Sequence, residues 1–182
     1  MGTSSLNDPY EYKAAIIFGS YSHVHEELPW HLELLEWTTH ALDKGLPELG
    51  ICFGHQLLSK YFGATIKETQ SYPKTLEGSR SINFHQNYKF FSKDESYQLF
   101  VSHQYEVSDL PEQLISLASS ADCRHEVVAH QSLPFLGVQA HPEGSERFPT
   151  STLTQPISEE ISQRSQKDGM RFIQNFLNTY KV

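Results

Sequence analysis

Apolar residues fall along the chain in two periods. Residues 14–18 (AAIIF) form an unbroken apolar run that stops at Gly19-Ser20. A short run closed by glycine reads as a buried strand entering a tight loop. After Leu28-Pro29-Trp30, the residues Leu32, Leu35, Trp37 and Leu42 recur at roughly helical spacing over 31–44, and Gly45 with Pro47 ends that helix. Residues 48–52 (ELGIC) predict a second strand, and residues 55–62 a helix stopped by Gly63. A strand, a sharp turn bearing Cys52 and a helix therefore follow in direct succession.

From residue 65 to about 101 the period shortens. Ser81-Ile82-Asn83-Phe84 and Tyr88-Lys89-Phe90-Phe91 predict antiparallel strands. Residues 114–118 and 126–130 predict two more, and residues 135–140 (FLGVQA) a further one that runs into His141-Pro142-Glu143. Residues 144–166 are polar, rich in Ser, Thr and Glu, and read as a mobile loop. A last helix is expected over 167–180, with Met170, Phe172, Ile173 and Phe176 on its apolar side. Asn7-Asp8-Pro9 is a turn signal. Strands alternating with helices predict an α/β fold with a largely parallel sheet, in which ligands bind where strands end and helices begin.

The chain has 182 residues, 38% hydrophobic and 20% charged, which fits one domain over 1–182 with a packed core. A formal charge of −8 lacks the clustered Lys and Arg of a nucleic-acid surface. Two cysteines, Cys52 and Cys123, make no disulfide framework. The first residues show neither a basic nor an apolar signal region, and no run approaches the roughly 20 apolar residues that cross a bilayer. Met1-Gly2 with Ser5 nearby resembles the start of a myristoylation pattern, a likeness that short sequences often show by chance. A cytoplasmic protein without membrane contact is expected. His23, His25 and His40 show no zinc spacing with a third ligand, so neither a metal nor another cofactor is expected. Cys123, between Asp122 and Arg124, reads as a surface thiol, and Trp30 with Trp37 as core packing.

Cys52 lies in Gly50-Ile51-Cys52-Phe53-Gly54-His55-Gln56. Glycines two residues before and two after it allow the sharp strand-to-helix turn of a nucleophile elbow, with Cys in place of Ser. Such a turn lifts the sulfur to the sheet edge and sets a helix N-terminus beside it. It also aims the N–H of Phe53 at the place where an oxyanion would form. The bland alternative is a buried structural cysteine at a strand end. His141-Pro142-Glu143 supplies a base and an orienting carboxylate at the end of another strand, the pairing that nucleophilic catalysis needs. Alone, a loop histidine is commonly a surface residue; beside the elbow it gains weight.

GICFGHQLLSKYFGA and GVQAHPE resemble the two signature segments of the class I glutamine amidotransferases. FGSYSHVHEELPW is similar to the oxyanion-loop segment, and VSHQYEVSDLP to the Ser-His stretch, of the branch that includes the GMP synthase glutaminase and γ-glutamyl peptidases. The resemblance implies a flavodoxin-like three-layer α/β sandwich with a mostly parallel central sheet and a small antiparallel sheet. It implies hydrolysis of the γ-amide of glutamine, or of a γ-glutamyl compound, through a thioester on Cys52, with His141 and Glu143 completing a triad. It further implies oxyanion donors at Gly19, Ser20 and Phe53, and substrate-binding roles for Gln56, Ser102 and His103. His103 as a packing residue is the competing reading.

Three departures from the family bear on this expectation. Only about a dozen polar residues precede Ala14, where the family has a strand, a helix and a second strand. An N-terminally shortened fold is therefore expected, with the strand from Ala14 to Phe18 at an open edge that invites a homodimer. Gly19-Ser20-Tyr21 stands where relatives carry a proline, which predicts a less fixed loop and low basal activity. Tyr105 occupies a usually acidic position, which predicts altered recognition of the substrate amine. No synthase domain follows, so an acceptor is expected on a separate polypeptide. The competing functions are a γ-glutamyl peptidase releasing an amine larger than ammonia and a non-catalytic regulatory or binding subunit of the same fold.

Overall fold

The computed structural model describes residues 8–182. The Met1-Gly2 pattern and Asn7 lie outside the described residues. Asp8 caps a 3-10 turn at Pro9–Glu11, its side chain accepting from Tyr10 N. The elements that follow are β1 (Ala15–Ile17), α1 (Pro29–Asp43), β2 (Glu48–Ile51), α2 (Phe53–Tyr61), β3 (Thr65–Glu68), β4 (Leu76–Phe84) and β5 (Ser96–His103). Then come β6 (Tyr105–Asp109), β7 (Leu114–Ser119), β8 (Val127–His130), β9 (Phe135–Val138), α3 (Phe148–Thr152) and α4 (Glu159–Tyr180).

Seven strands pair in the order β1-β2-β9-β8-β7-β4-β5. β1, β2 and β9 run parallel, and β8, β7, β4 and β5 continue the sheet antiparallel. β3 and β6 form the small antiparallel sheet. Short runs such as FLGV are buried along their whole length, because helices cover both faces of the parallel part. Leu49, Ile51 and Val138 pack with Phe172 and Phe176 of α4 on one face. Ile17, Leu42, Leu58 and Phe135 pack beneath α1 and α2 on the other. These are the three layers expected. Among the described residues β1 is an edge strand, and an apolar groove of about 490 Å³ lined by Ile16, Trp30 and Leu34 opens beside it. No helix among the described residues is long and apolar enough to cross a membrane.

Several expectations are corrected. The stretch 144–166 holds α3 and the first turns of α4, so it is not a loop; α4 begins at Glu159, well before residue 167. The start is set by Ser158, whose hydroxyl accepts from Ile161 N, with Glu159 and Glu160 in the first turn beside the positive end of the helix dipole. Tyr88 and Phe91 make one isolated bridge across a turn and no strand. Phe172 and Phe176 are fully buried, but Met170 is 71% exposed, because Gly169 and Phe172 take the inward face. In α1, Leu32 is exposed and the inward positions are His31, Thr38, Ala41 and Leu42. Cys123 is buried, not a surface thiol, and burial pushes its pKa up. Trp30 is half exposed at a rim, where its ring lies 5.2 Å from that of Phe53.

Candidate active site

β2 and β9 are hydrogen-bonded neighbours, and both end at the same edge of the sheet. Cys52 follows β2 and His141 follows β9, so the topology delivers them together. Cys52 sits at φ 49° and ψ −98°, immediately before α2. A non-glycine residue in that region is strained, and such strain concentrates at functional sites. The elbow demands glycine for space as well as for bending. A Cβ on Gly54 would stand 2.4 Å from the Ile17 carbonyl oxygen. A Cβ on Gly19 would stand 2.8 Å from His141 Cε1 and 3.5 Å from Cys52 Cβ. The loop after β1 therefore lies directly against the cysteine and the histidine.

His141 is held on three sides. Its N–H donates to Phe100 O in β5 at 2.8 Å. Its ring packs at 5.1 Å from that of Phe148 in α3, which itself stacks on Phe100. Its Nδ1 lies 2.8 Å from Glu143 Oε1. Burial opposes charge on this ring, but the neighbouring Cys52 and Glu143 outweigh it and raise the pKa to about 10. The imidazole therefore carries its second proton at neutral pH. Nε2, on the far side of the ring from Glu143, is buried, and Cys52 is the neighbour that interacts with the ring there. α4 buttresses the same turn: Gly169 approaches Pro142 so closely that a Cβ would stand 2.2 Å from Pro142 O.

Cys52 Sγ lies 3.8 Å from Ser102 O and accepts from Gln139 Nε2 at 3.7 Å. Two cavities meet at the sulfur. One, of about 300 Å³, is lined by Gln56, Ser102, His103 and Tyr105. The other, of about 230 Å³, is lined by Gly19, Ser20, His141, Glu143 and Phe148. All nine residues singled out from the sequence line one or both cavities. Gln56 nevertheless spends its amide nitrogen inside the protein, on Tyr105 O at 2.6 Å and Gln139 Oε1 at 3.1 Å.

His103 is likewise engaged at both nitrogens. Arg80 Nη2 lies 2.8 Å from Nε2 and Tyr105 O lies 2.9 Å from Nδ1. A guanidinium only donates, so Nε2 accepts and Nδ1–H donates to the carbonyl. Burial, with the Arg80 charge beside it, lowers the His103 pKa to about 3, so the ring stays neutral. Arg80 in turn pairs with the buried Glu126 at 2.6 Å. Neither Arg80, Glu126 nor Gln139 was singled out from the sequence. Gln139 alone left a trace, as a polar residue inside an apolar run. Tyr105 is half-buried against the core on the α1–α2 side, its ring 4.6 Å from that of His23 and 5.7 Å from that of Tyr72.

A thiol on a strained elbow, a charged imidazole beside it and a carboxylate behind the imidazole can perform acyl transfer. Comparisons with known proteins identify the family. Over 108 residues the sequence is 39% identical to one subunit of the glutamine-hydrolysing GMP synthase of Methanococcus vannielii, covering 58% of this chain and 54% of that one. It is 36% identical over 104 residues to the corresponding Thermococcus kodakarensis subunit, covering 57% and 54%. The chain thus spans about half the length of these relatives. Among solved structures, a protein described as a GMP synthase subunit from Thermoplasma acidophilum superposes with a TM-score of 0.72 at 21% identity, covering 96% of this chain and 77% of that one. A glutamine amidotransferase from Thermotoga maritima gives 0.71 at 20%, covering 94% and 77%. The family model for class I glutamine amidotransferases matches residues 3–155, and the chain belongs to that family.

Proposed function

We propose that the protein hydrolyses the γ-amide of glutamine through a thioester on Cys52. The observation that carries this reading is the strained Cys52 beside a His141 whose ring is bound to Glu143 and holds its proton to about pH 10. The Cys52 sulfur attacks the γ-carbonyl carbon, and the carbonyl electrons move to oxygen. Backbone N–H groups of Phe53 and of Gly19-Ser20 stabilise that oxyanion. As the tetrahedral species collapses, the C–N bond breaks and the His141 imidazolium gives its proton to the departing ammonia. The neutral His141 then takes a proton from water, which attacks the thioester and releases glutamate and Cys52. Glu143 keeps the imidazole oriented throughout. Gln56 and His103, bonded within the protein, shape the acyl cavity, and Ser102 borders the sulfur.

The similarity to proteins named as one subunit of a GMP synthase supports a separate partner chain that takes up the ammonia. A second reading, release of a larger amine, is favoured by one observation. The cavity on the His141 side holds about 230 Å³, against the ~30 Å³ occupied by a water-sized leaving group. Ammonia release from glutamine, compared with amine release from γ-glutamyl amides, tests both. Turnover of glutamine that disappears in Cys52→Ala supports the first reading. Turnover of the amides alone supports the second, and turnover of neither leaves a binding or regulatory subunit.

A further inference from the structure

The candidate oxyanion donors come from two separate segments: the Gly19-Ser20 loop after β1, and Phe53 at the start of α2. Tyr21 is 94% exposed, so it gives the loop no anchor. His31, in the first turn of α1, is 2% exposed and touches both segments. Its ring packs against Phe53 with centroids 4.9 Å apart. Its Nε2 lies 2.9 Å from Ser22 Oγ. Ser22 Oγ also donates to Glu26 Oε2 at 2.5 Å, while Ser22 N donates to Ser20 Oγ at 3.0 Å.

Counting protons gives this chain of bonds a direction. A hydroxyl carries one proton, and a carboxylate only accepts. The bond from Ser22, first among the causes, holds the Glu26 pKa down, so Glu26 is the acceptor. Ser22 Oγ must then accept from His31 Nε2–H. The remaining nitrogen, Nδ1, is buried without a partner, and burial lowers the His31 pKa; both fit a neutral ring with its proton on Nε2.

We propose that His31 is a positioning residue for acyl transfer: through Ser22 it ties the Gly19-Ser20 loop to Phe53 and fixes the spacing of the two oxyanion donors. This proposal rests on the Cys52 reading above. Small displacements of oxyanion donors are costly, because donors act only when aimed at where the charge develops.

Three variants test it. Ser22→Ala removes the hydroxyl from the loop without opening the core. His31→Phe keeps a ring against Phe53 but removes the donor, and His31→Gln returns an N–H near the Nε2 position. The readouts are kcat and KM for glutamine, alkylation of Cys52 by iodoacetamide, and amide hydrogen exchange of residues 19–22. Alkylation displaces iodide at a saturated carbon and forms no oxyanion. Ser22→Ala and His31→Phe are expected to lower kcat about tenfold or more while KM and the alkylation rate stay within about twofold. Loop exchange should quicken in both, and His31→Gln should recover most of the loss. Unchanged kcat and loop exchange, alkylation falling in step with kcat, or His31→Gln no better than His31→Phe would overturn the proposal. If the native protein alkylates at Cys52 yet releases no ammonia, the glutamine reading fails separately. Loop exchange in Ser22→Ala then decides the brace: faster supports it, unchanged overturns it.

Discussion

Replacing Glu48 by Leu should stabilise the protein, and by an amount that grows with pH. Glu48 opens β2, paired with Ala15 of β1 on one side and Phe135 of β9 on the other. It is fully buried, and neither carboxylate oxygen has a hydrogen-bond partner. Strand alternation puts it on the α1–α2 face with Gly50, opposite Leu49 and Ile51. Burial raises its pKa from 4.5 to about 9. The folded state therefore keeps a proton that the unfolded state loses above its own pKa. The sign follows: the neutral carboxyl costs least below the unfolded value, and folding loses stability as pH rises from there toward 9. At about pH 7 the unfolded chain is favoured by the difference between 7 and 4.5 at ~1.4 kcal/mol per unit, roughly 3 kcal/mol. Urea unfolding at several pH values, native against Glu48→Leu, isolates this group from every other titrating side chain. The stability gap should widen by about 4 kcal/mol between about pH 5 and about pH 8. Parallel curves, with a gap independent of pH, would refute a neutral Glu48 in the fold.

Other outcomes follow from the same geometry. Glu143→Gln removes one of the two groups that hold the His141 proton, so the imidazole should titrate well below 10, visible in its NMR pH profile; an unmoved value would detach Glu143 from the ring. Gly54→Ala drives a methyl into the Ile17 carbonyl, and turnover should fall at least about tenfold as the elbow shifts; full activity would show that the close approach is unimportant. Phe172→Ala opens a cavity in the core beneath α4, with an expected loss of about 3–5 kcal/mol in urea unfolding; a loss near zero would mean that α4 does not seal this face.

Local pattern carried much of the fold. β1, α1, β2, α2, β7 and β8 appear within a residue or two of where apolar runs and glycine or proline stops put them. The meeting of Cys52 with His141 and Glu143 at one sheet edge was legible because each motif is contiguous and because parallel neighbours β2 and β9 end together. What stayed hidden depends on partners distant in sequence. Nothing local marks Arg80 or Glu126; β4 and the residue just before β8 bring them together at 2.6 Å. Cys123 sits among Asp122 and Arg124, and no local signal tells that the fold covers it. The first two turns of α4 carry one apolar residue, the partly exposed Ile161; Ser158 and the following Glu159 and Glu160 announced the helix as a cap rather than as a periodicity. His31 looked like one more polar residue on a helix, and its burial follows from Phe53 packing against it.

The role of Cys52 is tested most directly by a glutamine-derived diazo-ketone, which alkylates the cysteine that attacks the γ-carbonyl position. Mass spectrometry of the folded, labelled protein should show one adduct, mapped to the peptide carrying Cys52 and protected by excess glutamine, while buried Cys123 stays unmodified. No adduct on Cys52 in a folded sample, or an adduct on Cys123 in its place, would contradict catalysis by the Cys52, His141 and Glu143 site.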